Sequence, residues 1–134
     1  MNIRDFHPLR DYATVKRWST ERGLPPAPLK VLPRHGMVVE REGQLLAAAW
    51  LYVYEGVEMG RIEMLITDAQ VDFDTRGEAI GLVLKGLSER ARTLELKLLH
   101  AGSMHPRVIE HLQKLGFINM DSNITNLCLS LGDI

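Results

Sequence analysis

The sequence is poor in several features that would each have narrowed its function at once. It holds a single cysteine, Cys128, which excludes an internal disulfide and a zinc site built from several cysteines. No apolar run approaches the roughly 20 residues of a membrane-spanning helix, and the first residues lack the apolar core of a signal peptide. We therefore expect a cytoplasmic protein, with Cys128 as a small buried residue of a strand.

The chain also has no excess of charge of one sign. The chain has 16 basic and 17 acidic side chains, so its net charge is −1. A protein that binds nucleic acid through a broad electrostatic surface carries a clear basic excess, and nucleic acid is therefore not an expected partner. The remaining composition, 46% hydrophobic and 25% charged in 134 residues, is typical of one globular domain that spans residues 1–134.

The apolar pattern predicts a mixed α/β domain. Apolar residues recur with the 3.6-residue period of a helix near the start and near the end of the chain, and a proline-rich connector follows the first of these helices. A third, long helix joins two strands as a β-α-β crossover. Most of the sheet is antiparallel, and the two strands of the crossover are parallel. The predicted strands lie at 36–40, 45–54, 61–67, 97–101, 117–118 and 124–131, and the predicted helices at 9–18, 76–94 and 106–115.

The start of the long helix is the most informative segment. Small residues are frequent there, in the run Arg76, Gly77, Glu78, Ala79, Ile80 and Gly81. A helix that opens in small residues exposes unpaired backbone N–H groups and the positive end of its dipole, and together these bind phosphate. The segment therefore indicates a phosphate-bearing ligand.

Together with the order of elements and with Leu115, Gly116 and Phe117 at the end of the last helix, this segment resembles the GNAT superfamily of acyl-CoA-dependent N-acetyltransferases along nearly the whole chain. The residues from Leu32 to Tyr52 resemble, more narrowly, small GNAT-like proteins encoded by bacteriophages. The resemblance implies a splayed central sheet and acetyl-CoA as co-substrate. It also makes a homodimer plausible, with residues 124–131 as a contact.

The family resemblance assigns the cofactor-binding residues. In GNAT proteins an Arg/Gln-x-x-Gly-x-Gly/Ala segment holds the CoA pyrophosphate, and residues 76–81 occupy that place, with Ala79 where the family usually has glycine. The pantetheine arm is then expected to pair with the backbone of Leu65, Ile66 and Thr67, beside the strand at 97–101. A backbone N–H at this point would polarise the thioester oxygen.

Acid–base groups are less clear from the sequence. Glu63 is the best candidate for the general base, because strand alternation would place it on the same face as Leu65. Its alternative role is that of an exposed carboxylate paired with a neighbouring Arg or Lys. Ser103 or His105 could donate the proton to the leaving thiolate, or could simply cap the last helix.

A departure from the family pattern opens a second function. Leu112 stands where many GNAT enzymes carry a tyrosine, whose phenol is thought to protonate the CoA thiolate. The chain is then either an N-acetyltransferase acting on a primary amine, or a catalytically inactive GNAT-like module that retains CoA binding. The amine could belong to a small molecule, a protein or a modified nucleobase. His100, His105 and His111 match no common zinc spacing, so no metal is expected.

Overall fold

The computed structural model describes residues 1–132 and places five strands in one sheet, in the spatial order β1-β2-β3-β4-β5. All neighbouring strands are antiparallel except β4 and β5, which are parallel. This confirms the predicted mixed fold. The elements are β1 (Asn2–Asp5), α1 (Pro8–Glu21), β2 (His35–Arg41), β3 (Gln44–Val53), β4 (Met59–Thr67), α2 (Phe73–Thr93), β5 (Leu98–Ala101) and α3 (Pro106–Lys114), with a 3₁₀ turn at Leu29–Val31.

The sheet is buried on both faces. Helices α2 and α3 cover one face, which we call the α2 face, and its core includes Leu46, Leu51, Leu84 and Leu87. Helix α1 covers the other, the α1 face, around Trp18 and Trp50 with Val38 and Ala48. Because β3 is central and covered on both sides, it reads as a continuous apolar run, whereas a half-exposed strand would alternate.

Local signals explain most element boundaries. Glu42 and Gly43 both have positive φ and close the tight turn of the β2–β3 hairpin. Pro106 lies in the first turn of α3, and Gly116 follows its end with φ 102°, a conformation that glycine adopts without strain. Within residues 1–132 no helix is long and apolar enough to cross a bilayer.

The sheet opens between its two parallel strands. Strands β4 and β5 pair only from Met59–Leu98 to Ile62–Ala101, after which β5 ends and β4 continues along β3. In the same stretch β4 carries a bulge: three steps on β4, from Glu63 to Ile66, oppose two steps on β3, and Met64 has φ 62°. The result is a wedge beside the second half of β4.

Helix α2 begins earlier than the sequence pattern suggested. It starts at Phe73, and Asp72 caps it by accepting hydrogen bonds from the N–H of Thr75 (3.0 Å) and from its hydroxyl (2.7 Å). The Asp72 cap and an acidic first turn favour this start. Residues 76–81 therefore lie inside the helix, and the prediction that they open it was wrong.

The C-terminal segment also differs from expectation. Within the described part of the chain, residues 117–118 and 124–131 form no strand, and Ile118, Leu127, Leu129 and Leu131 are exposed. Cys128 is exposed as well, so the prediction that it is a buried strand residue was wrong. The alternating apolar residues of 124–131 predicted a strand, but a strand forms only where a neighbouring strand is available to pair with it. A dimer contact by this segment stays a prediction.

Candidate functional site

The wedge between β4 and β5 opens into a cavity of about 630 Å³. Its walls come from both faces of the sheet: Ile80, Leu84 and Leu112 from α2 and α3, and Arg22 and Leu24 from the end of α1 and the connector. No side chain of residues 1–132 fills the wedge, and the cavity therefore has walls from both faces of the sheet. The N–H of Asp68 bonds to the carbonyl of Leu46 on β3 (3.0 Å), and alternation then directs the N–H of Thr67 into the wedge.

Positive charge gathers at the α2 end of this cavity. Arg76 lines it, and the Nε of Arg76 is buried without a hydrogen-bond partner in the described residues. Arg107 of α3 also lines it; its guanidinium lies 3.8 Å from the centroid of the Phe73 ring and donates to the Phe73 carbonyl at 3.0 Å. Asp74, 4.0 Å from Arg107 but almost fully exposed, compensates this charge only weakly. The arrangement suits an anionic group.

Six of the nine predicted cofactor-binding residues lie on the cavity wall, namely Leu65, Ile66, Thr67, Arg76, Gly77 and Ile80. The other three do not. Ala79 is buried in the core, Glu78 is exposed, and Gly81 packs against the ring of His111. The backbone N–H groups of residues 77–81 belong to the helical ladder, so they cannot converge on a phosphate as a looped segment would.

Gly77 has a local packing reason of its own. A Cβ at this position would overlap the guanidinium of Arg107. The ring of His111 approaches the same turn, where it interacts with the Gly77 backbone, and burial lowers the His111 pKa, helped by the nearby cations Lys114 and Arg107. The small residues Gly77 and Gly81 of α2 therefore let α3 approach closely.

Glu63 lines the cavity, but not on the side that alternation predicted. It lies opposite Trp50 of β3 and therefore on the α1 face, whereas Leu65 packs against the core of the α2 face. The bulge at Met64 is the physical reason, because one extra residue reverses the alternation. Glu63 also forms an ion pair with Arg61, as its alternative role foresaw. Burial and the Glu63 charge raise the pKa of Tyr52 on the same face.

The other candidate acid–base groups lie at the β5 side. Ser103 and His105 both line the cavity and are exposed. The Ser103 hydroxyl oxygen accepts the His105 N–H at 3.0 Å, just ahead of α3, which leaves the hydroxyl proton free to be donated. Leu112 is buried in the wall, an aliphatic group where a phenol would stand in many GNAT enzymes. Within residues 1–132 no three His, Cys, Asp or Glu residues cluster as metal ligands would.

Two cationic residues of the site escaped the sequence analysis. Arg22 donates to the Thr67 hydroxyl at 3.1 Å and lines the cavity, although 45 residues separate the two in sequence. The sequence does contain a local indication of Arg107. A cation in the first turn of a helix is unfavourable beside the positive end of the helix dipole, so its presence there suggests a specific role. Its position over the start of α2 depends on how the two helices pack, so only the structure supplies that reason.

No family profile matches the chain. No curated protein matches it either.

Solved structures do match. The Thermus thermophilus protein TTHA1254 superposes with a TM-score of 0.70 over 99% of both chains, at 17% identity. Rv2747 from Mycobacterium tuberculosis, crystallised in complex with CoA and NLQ, gives 0.72 at 18% identity over 93% of this chain and 76% of its own. N-acetylglutamate synthase from Neisseria gonorrhoeae, complexed with coenzyme A and N-acetyl-glutamate, gives 0.62 at 22% identity over 90% of this chain but 28% of its own. The chain therefore has the fold of the GNAT acetyltransferases.

Proposed function

We propose that this protein is an acetyl-CoA-dependent N-acetyltransferase that transfers an acetyl group directly to a primary amine. The observation that carries the proposal is the open cavity at the divergence of β4 and β5, with Arg76 and Arg107 at one end. The CoA-bound neighbours of the same fold support acetyl-CoA as the co-substrate. The acceptor, and the resemblance to bacteriophage proteins, stay predictions.

The residues present suit a thioester with a diphosphate. Within residues 1–132 the buried Nε of Arg76 has no hydrogen-bond partner, and two guanidinium groups flank one end of the cavity, so an anion there would satisfy unpaired donors. Side chains of Arg76 and Arg107 thus take over a task that the backbone of residues 76–81 cannot perform inside a helix. The apolar wall of Ile80, Leu84 and Leu112 would contact the pantetheine arm.

The reaction needs a positioned amine and an acceptor for its proton. The amine lone pair attacks the thioester carbonyl carbon, the C–S bond breaks, and CoA leaves as the thiolate. The Thr67 N–H can polarise the carbonyl oxygen, and Glu63 on the α1 face can receive the amine proton directly or through water. The Ser103 hydroxyl lines the cavity and can donate a hydrogen bond to the thiolate, which then takes its proton from water, whereas Leu112 has no donor to offer.

Calorimetric titration with acetyl-CoA and with free CoA tests the proposal. We expect both ligands to bind, and acetyl-CoA to release free thiol when a suitable amine is added. Failure of both ligands to bind at millimolar concentration would overturn the proposal. Turnover measurements should follow with amines of several classes, because the fold alone does not choose the acceptor.

Replacing Arg76 with alanine should weaken CoA binding by about 10- to 100-fold, the usual value of a charge-assisted hydrogen bond of 1.5–3 kcal/mol. The affinity for pantetheine, which has no phosphate, should change little. Arg17→Ala is the matched control, since Arg17 is an exposed residue of α1 that does not line the cavity. Equal losses for CoA and pantetheine would show that Arg76 acts on the fold instead of the phosphates.

A second candidate function is a CoA-binding module without transfer activity. Leu112 favours it, because the usual proton donor is replaced by a buried aliphatic group. The helical conformation of residues 77–81 is weaker support for this second function, because it bears on how CoA is bound and not on the transfer step. CoA binding without acetylation across a broad set of amines would support this second function over the first.

A further inference from the structure

A second cavity, of about 210 Å³, lies on the α1 face. We call it the α1 groove; it runs between α1, the proline-rich connector and the bulged part of β4. Val15, Ala27, Leu32 and Trp50 contribute apolar wall, and in the described part of the chain Lys16 alone contributes a charged side chain. The groove is thus an apolar recess large enough for a branched alkyl group or an aromatic ring.

The α1 groove adjoins the candidate site. Four residues line both cavities, namely Leu24, Met64, Leu65 and Ile66. Three of them belong to the stretch of β4 that leaves β5, where the thioester carbonyl is expected. The groove therefore lies directly beside the wedge, within reach of an apolar group on a ligand whose reactive end is in the wedge.

The groove lies on the side from which an amine would approach. Arg76 and Arg107, the candidate phosphate contacts, belong to α2 and α3, whereas the groove and Glu63 belong to the α1 face. A co-substrate held by the two arginines occupies the α2 side of the wedge. The nucleophile must then come from the opposite side, which is also where Glu63 can accept its proton.

We infer that the α1 groove is the specificity pocket for the acceptor, and that the acceptor is a primary amine carrying a branched or aromatic apolar group. This inference rests on the proposed transferase function and adds the substrate class to it. Burial of each methylene in the groove strengthens binding about fourfold, so the preference for apolar amines should be large compared with the scatter of an assay.

The test compares ethylamine, 3-methylbutylamine and 3-phenylpropylamine, three amines of similar basicity, with acetyl-CoA held constant. We expect kcat/KM to rise at least tenfold from ethylamine to 3-phenylpropylamine. Ala27→Phe, which fills the groove from the connector, should bring that ratio close to one. Leu29→Ala is the matched control, because Leu29 is an exposed residue of the same connector that does not line the groove, and it should keep the wild-type ratio.

Several outcomes would overturn the inference. Equal kcat/KM values across the amine series would do so, as would a preference that Ala27→Phe leaves intact. A preference for hexanoyl-CoA over acetyl-CoA, with no preference among amines, would assign the groove to the acyl chain instead.

If no amine is acetylated, the proposed function fails separately from this inference. Calorimetry with free CoA present then compares N-acetyl-3-phenylpropylamine with N-acetylethylamine as ligands. Tighter binding of the aromatic amide, abolished in Ala27→Phe, supports the groove as an apolar amine site, and equal binding overturns it.

Discussion

Glu63→Gln should lower kcat/KM at neutral pH by about 10²-fold, the smaller end of the usual contribution of a general base. The amide has the shape of the carboxylate but cannot receive the amine proton. As the pH rises, the fraction of amine that is already deprotonated grows, so the variant should approach wild-type activity at high pH. Rates measured by thiol release across this pH range check the expectation.

The matched control for Glu63 is Arg61→Gln. Arg61 is the ion-pair partner of Glu63, so both variants break the same ion pair, yet only one removes the carboxylate. A base role predicts a large loss for Glu63→Gln and a small one for Arg61→Gln. Equal losses would make the pair structural, and unchanged turnover of Glu63→Gln at every pH would remove Glu63 from the mechanism.

Asp11→Ala should lower the free energy of unfolding by about 3 kcal/mol, or the midpoint of thermal unfolding by roughly 10 °C. Asp11 is 1% exposed and accepts two hydrogen bonds from the Arg4 guanidinium, at 2.8 and 2.9 Å. It also accepts the His7 N–H at 2.8 Å, at the start of α1. The substitution removes the shared acceptor of the His7 N–H and of two Arg4 donors, and with it a link between α1 and β1. Urea denaturation measures the loss.

The control for this prediction is Asp5→Ala. Asp5 pairs with Arg90, but its side chain is 67% exposed, so its loss should cost less than about 1 kcal/mol. If the two variants were destabilised equally, the buried position of Asp11 would not be the cause.

The Asp11 effect should also depend on pH. Burial by itself would raise the Asp11 pKa, but the Arg4 hydrogen bonds and the His7 N–H outweigh it and hold the pKa below its usual value. The unfolded chain therefore takes up the proton first, at about pH 3.9. The contribution of Asp11 is complete above that pH and is lost as the pH falls through the lower pKa of the folded state. The stability difference between wild type and Asp11→Ala should shrink over that acid range.

Much of the fold was predictable because its signals are local. The 3.6-residue apolar period predicted the three helices, and the apolar runs at 36–40, 45–54, 61–67 and 97–101 predicted strands β2 to β5. The start of α2 could have been predicted, since Asp72 is a good N-cap residue. The small residues from Gly77 onward instead led to a predicted start at residue 76. Strand β1 was missed because four residues carry little periodicity.

By itself, then, the sequence determined the order of the three helices and of strands β2 to β5, and the place of the site after β4, since periodicity, turns and caps depend on residues close in the chain. The tertiary structure decided which side chains meet there. The bulge at Met64 puts Glu63 and Leu65 on opposite faces of the sheet, and packing of α3 on α2 brings Arg107 to the cavity that Arg76 also lines. It also left residues 124–131 outside the sheet. These outcomes depend on contacts between residues far apart in sequence, where strand register and helix packing compete, and no local pattern records the result.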